Sequence, residues 1–153
     1  LEASMVLYFT GASRSSAAII DQQKKNTISG NEKAIEAMHK IKQSAIDMKL
    51  ALLKGDMKEF ARILGEGWEN KKKMADAITN PMIQEVFDVA IPAGAIAGKV
   101  SGAGGGGFVM LMVEPTRKKE VINVLKKLDG FVMPFQFTEG GAHGWKIYPT
   151  DKV

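Results

Sequence analysis

Gly98-Lys99-Val100-Ser101-Gly102-Ala103-Gly104-Gly105-Gly106-Gly107 runs without interruption into Phe108-Val109-Met110-Leu111-Met112-Val113. Glycine costs roughly 0.5–1 kcal/mol of backbone entropy per residue relative to alanine in ordered structure. Five glycines among the six positions 102–107 therefore need a purpose. Such a run permits positive φ and close backbone approach, and it lets successive N–H groups converge into a nest for oxyanions. The apolar residues that follow predict a strand buried on both faces. A Walker loop is excluded, because Gly98-Lys99 has Ala93 where that motif needs glycine and Val100 where it needs a hydroxyl residue. Gly102, Gly104 and Gly107 satisfy Gly-x-Gly-x-x-Gly, but the dinucleotide fingerprint must enter a helix and this run enters a strand. A flexible linker or a tight hairpin is the plainer alternative. A linker would seldom join Lys99-Val100-Ser101 to six apolar residues with no polar spacer.

Downstream of that strand, Pro115-Thr116 opens a predicted helix with Val121, Ile122, Leu125 and Leu128 inward, closed by Gly130. Val132 to Phe137 and Trp145 to Tyr148 read as two last strands. Upstream, Met5 to Phe9 is a short β-favouring run, broken by Thr10-Gly11-Ala12-Ser13-Arg14-Ser15-Ser16. Ser15 or Ser16 caps a helix from Ala17 to about Lys25. After Ser29-Gly30-Asn31, the residues Ala34, Met38, Ile41, Ala45, Met48 and Leu52 recur at helical spacing and predict a buried stripe. Gly55 ends that helix, and Asp56 with Glu59 forms a capping-box pattern for the next. Its expected buried face is Met57, Phe60, Ala61, Leu64 and Trp68. Asn80-Pro81 reads as an N-cap and first-turn proline for a helix through Val86, Phe87 and Ala90. Helices followed by strand, helix, strand, strand imply an α+β domain with a mostly antiparallel sheet.

Composition bounds what the chain can do. At 153 residues it fits one domain. No apolar run reaches the roughly 18–20 residues of a membrane helix. Zero cysteines exclude disulfides and thiolate metal sites, and with no leader pattern they point to a cytoplasmic protein. The net charge of +4 is modest, and Lys71-Lys72-Lys73 lacks interleaved aromatics, so a solvated helix face is expected there and no nucleic-acid stripe. His39 and His143 have no partner at metal or triad spacing, and no metal ligand set is expected in this chain. Trp68 and Met38, Met48, Met57 and Met74 are expected to be core. Leu1 sits almost at the start of a strand, which reads as an internal position of a longer protein.

The segment Gly98–Gly107 resembles the third motif of the GHMP kinases, in which a lysine and a hydroxyl residue precede Gly-Ala-Gly-Gly-Gly and an apolar strand follows. Within that superfamily, residues 7–16 and Phe135-Gln-Phe-Thr-Glu-Gly-Gly141 are similar to elements of the branch acting on heptose 7-phosphates. The resemblance implies a C-terminal domain with a ferredoxin-like antiparallel sheet of about four strands covered by several helices. It implies an ATP-dependent small-molecule kinase that phosphorylates the anomeric hydroxyl of a heptose phosphate. An N-terminal domain, absent here, would bind most of the ATP and Mg2+ and act as the principal partner. A homodimer is compatible with the resemblance. Other kinases of the superfamily, or a non-enzymatic ferredoxin-like ligand-binding domain, are the alternatives.

Under this reading Lys99, Ser101, Gly102, Ala103, Gly104, Gly105 and Gly106 face ATP or the transferring phosphate. Lys99 neutralises phosphate charge or is a plain strand lysine; Ser101 donates to the acceptor or caps the turn. Thr10, Gly11, Arg14, Ser15 and Ser16 bind substrate. Arg14 grips two phosphate oxygens beside a helix N-terminus, unless it is a solvated loop arginine.

Overall fold

The computed structural model describes residues 1–12 and 16–145. Strand β1 (Met5–Phe9) leads into α1 (Ser16–Ile28), α2 (Glu32–Leu53), α3 (Met57–Lys72) and α4 (Pro81–Ala93). A hairpin follows, β2 (Ala95–Val100) and β3 (Phe108–Val113), then α5 (Lys118–Leu125) and β4 (Phe131–Met133). The sheet order is β2-β3-β1-β4 and all pairs are antiparallel. This is the expected ferredoxin-like arrangement, with α1–α3 inserted ahead of the crossover helix α4.

Side chains dictate the helix boundaries. Asn31 Oδ1 accepts from the Ala34 N–H at 3.1 Å, Asp56 Oδ1 from the Glu59 N–H at 3.0 Å, and Asn80 Oδ1 from the Ile83 N–H at 3.0 Å. Each satisfies a donor that the first helical turn leaves unpaired. Gly94 takes φ +118° and stops α4.

Alternation along the strands sends two apolar sets to opposite faces. Val6, Tyr8, Val109, Leu111 and Val113 pack with Ile83, Val86 and Ala90 of α4 and Val121 and Leu125 of α5. On the other face Met5 and Met112 pack with Ala61 and Leu64 of α3, flanked by Met48 and Phe60. Trp68 is buried and stacks on Phe87 with ring centroids 5.9 Å apart.

Several expectations change. The fourth strand is β2, which weak β-propensity hides; Gly65 of α3 needs the small Ala97 beside it, 3.2 Å from where a Cβ would lie. Strand β4 ends at Met133 because Pro134 has no N–H to continue the ladder. Trp145 is exposed and outside any strand, and the rest of that expected strand lies outside the described residues. Gly130 does not close α5, which stops at Leu125; its N–H donates to Tyr8 Oη at 2.8 Å. On α2 the buried residues are Ala34, Ala37 and Ala51, while Met38 and Leu52 are exposed. Those small residues are the buried ones, and Ile41, Ala45 and Met48 of the stripe line an open groove instead. Met48, Met57 and Met74 are half-buried, and His39 is exposed.

Candidate functional site

The glycine run forms the β2–β3 hairpin loop, begun by the Ser101 N–H donating to Phe108 O at 2.7 Å. Its course is fixed by neighbours on three sides. The Gly105 N–H donates to Ile78 O at 2.8 Å, and Asn80 Nδ2 donates to Gly105 O at 3.0 Å. The Gly107 N–H donates to Ala12 O at 2.8 Å and to Thr10 Oγ1 at 3.1 Å, while the Thr10 N–H donates to Gly107 O at 2.9 Å. Thr10 Oγ1 also donates to Ala12 O at 3.1 Å. Thr10 is buried, and its hydroxyl is engaged inside the protein, joining the loop after β1 to the glycine hairpin.

These contacts explain which glycines are obligatory. A Cβ on Gly104 (φ +112°) would lie 2.8 Å from Ile78 O, and one on Gly106 (φ +151°) 2.7 Å from Ala12 O. Gly102 (φ +80°) and Gly107 (φ +88°) have open space at that position, so backbone conformation alone selects glycine there. The expected nest is thus smaller than the sequence suggests. The amides of Gly105 and Gly107 are spent on the protein itself. Among the described residues, no protein group accepts from those of Gly102, Ala103, Gly104 and Gly106.

Two lysines stand beside the loop. Lys99, on β2 opposite Met110, is half-buried. Lys71, from the last turn of α3, reaches across so that its Nζ donates to Gly102 O. Burial first, and then the nearby Lys99 charge, pull the Lys71 ammonium below the ordinary lysine range. Where a solvated lysine is expected, Lys71 is half-buried and engaged with the hairpin. Nothing in its helical spacing marks it, because the contact spans 31 residues of sequence. Both lysines line an apolar groove of about 500 Å³ walled by Ile41, Ala45 and Met48 of α2, by Phe60 and Leu64 of α3, and by Met110.

Gly11 (φ +79°), Ser16 at the start of α1, and Ser101 are exposed. Arg14 and Ser15 lie outside the described residues. Among the described residues, no three His, Asp or Glu side chains come together as a metal site. No helix there is long and apolar enough to cross a membrane.

An antiparallel β2-β3-β1-β4 sheet carrying a glycine hairpin with two lysines defines a class. The family described as GHMP kinases C terminal matches residues 48–129, and the chain belongs to the GHMP kinases through this C-terminal domain. It is 45% identical over 147 residues to D-glycero-alpha-D-manno-heptose 7-phosphate kinase of Campylobacter jejuni, covering 96% of this chain and 43% of that one. It is 31% identical over 126 residues to mevalonate kinase of Pyrococcus horikoshii, covering 81% of this chain and 37% of that one. A crystal structure described as a sugar kinase from Campylobacter jejuni matches with a TM-score of 0.65 and 41% identity, covering 96% of this chain and 40% of that one. The chain thus spans less than half the length of the relatives it matches.

Proposed function

We propose that this chain is the C-terminal domain of an ATP-dependent sugar-phosphate kinase that transfers the γ-phosphoryl group to the anomeric hydroxyl of a heptose 7-phosphate. The observation carrying this reading is the 45% identity to the heptose 7-phosphate kinase along almost the whole chain. The acceptor oxygen attacks the γ-phosphorus, the bond to the ADP oxygen breaks, and the hydroxyl proton is released. Such a reaction depends on positioning and electrostatic stabilisation. The hairpin contributes a wall without side chains and the amides of Gly102, Ala103, Gly104 and Gly106, with Lys99 adding positive charge. Ser101 donates to the acceptor. Arg14, Ser15 and Ser16 hold the sugar's own phosphate, with Gly11 opening space and Thr10 fixing the loop. Mg2+ supplies charge neutralisation in this class of chemistry. We assign none of its ligands to this chain, and the N-terminal part of the parent protein supplies the ATP loop and the base. A cytoplasmic location accompanies the reading.

The test is ADP release by the parent protein with a panel of acceptors. Heptose 7-phosphate should give turnover well above mevalonate and galactose. Turnover with mevalonate alone would replace this reading with the mevalonate type, to which the chain is 31% identical. Under the same reading this chain by itself turns over no ATP, and Arg14→Ala raises the acceptor KM far more than that for ATP.

A further inference from the structure

We propose that Lys71 joins Lys99 in a phosphate-binding site at the head of the apolar groove, beside Gly102. The inference deepens the kinase reading and rests on it for the identity of the phosphate, but not for the site itself.

Three observations carry it. The two cations come from different elements, the end of α3 and the middle of β2, and line one groove. That groove includes no carboxylate, and among the described residues neither lysine pairs with an acid within 4.0 Å. Charged side chains set among apolar walls are costly unless an opposite charge joins them. Here the walls are methionine, leucine, isoleucine and phenylalanine, and the two ammonium groups also repel each other. A dianion relieves both costs at once. The third observation is the Lys71 contact to Gly102 O, which places an ammonium against the glycine hairpin. An oxyanion there would meet the charge of both lysines.

The shared ligand chemistry is a phosphate group, supplied by the polyphosphate chain of ATP or by the phosphate of the acceptor sugar. Calorimetric titration of the parent protein with tripolyphosphate and with inorganic phosphate reads the site directly. Steady-state KM values for ATP and for heptose 7-phosphate tell the sources apart. Lys71→Met and Lys99→Met should each weaken binding of at least one of the two probes about tenfold or more, the effect of losing one charged hydrogen bond. Lys119→Met, an equal loss of charge from an exposed position on α5, should change binding less than twofold. A matching rise in the ATP KM alone assigns the site to the nucleotide, and a rise in the acceptor KM alone assigns it to the sugar phosphate. If neither acceptor nor ATP turns over but the variants lose anion binding, the kinase reading fails and the site stands. If either variant melts like the parent protein and binds both anions within twofold of it, the site is refuted. The two lysines lie on separate elements, so one folded variant suffices.

Discussion

Gly104→Ala isolates the part of the glycine hairpin that packing demands. The new methyl carbon would lie 2.8 Å from Ile78 O, 2.9 Å from Ile78 Cα and 3.0 Å from Ile78 Cγ2, in a backbone with φ +112°. Two of the three contacts are backbone atoms, and the adjoining Gly105 amide is bonded to that same Ile78 carbonyl at 2.8 Å. The neighbour has little freedom to retreat without breaking that bond. Strained φ and overpacking each cost about 1–3 kcal/mol, so about 3–4 kcal/mol is expected in total. For a protein of this size that is roughly a 10 °C loss in Tm. Gly102→Ala is the matched control: it shares positive φ but meets nothing within 4 Å. Only backbone strain of about 1–2 kcal/mol remains there. Urea unfolding followed by the fluorescence of buried Trp68, with thermal melts alongside, compares the two. Equal losses in the two variants, or a greater one at Gly102, would refute the claim that packing against Ile78 selects glycine at 104.

Thr10→Val removes one hydroxyl that accepts from the Gly107 N–H and donates to Ala12 O. It should cost about 1–3 kcal/mol in urea unfolding, with Thr10→Ser restoring most of it. Gly130→Ala places a carbon 2.0 Å from Phe9 O and 2.4 Å from Tyr8 Oη, so this variant should show the largest loss of soluble, cooperatively melting protein. The lowered Lys71 pKa gives a pH dependence. Because the folded chain releases this proton at lower pH than the unfolded one, Lys71 disfavours folding below its folded pKa. That penalty fades as pH rises through the folded value toward the ordinary lysine value. Tripolyphosphate affinity should fall over that same window, and Lys71→Arg, which stays charged, should hold its affinity to higher pH.

Local chemistry was legible in the residues. The capping side chains Asp56 and Asn80 each accept the bond their sequence context predicts, and β1 and β3 lie where the apolar runs place them. What the sequence hides is decided by distant partners. Ala95–Val100 reads poorly as a strand because Gly65 and Phe87 press on Ala97 and Gly98 and demand small residues. The α2 stripe has helical period, yet of its six residues only Ala34 is buried, so period alone could not tell a core from a groove. Asn80 reads as a cap, yet its amide also holds Gly105 O. Lys71 reads as one of three solvated lysines, and only the fold turns it toward Gly102. For the glycine run, a hairpin and a phosphate wall were rival readings of composition; the structure makes the run a hairpin without opposing the other.

The central claim is that this domain serves phosphoryl transfer to the anomeric oxygen of a sugar phosphate. Phosphorus NMR of the parent protein incubated with ATP, Mg2+ and heptose 7-phosphate tests it most directly. A new phosphate resonance split by the anomeric proton is expected, growing in step with ADP while the 7-phosphate signal persists. Growth of ADP and free phosphate alone, or a product phosphorylated at a carbon other than the anomeric one, would contradict it.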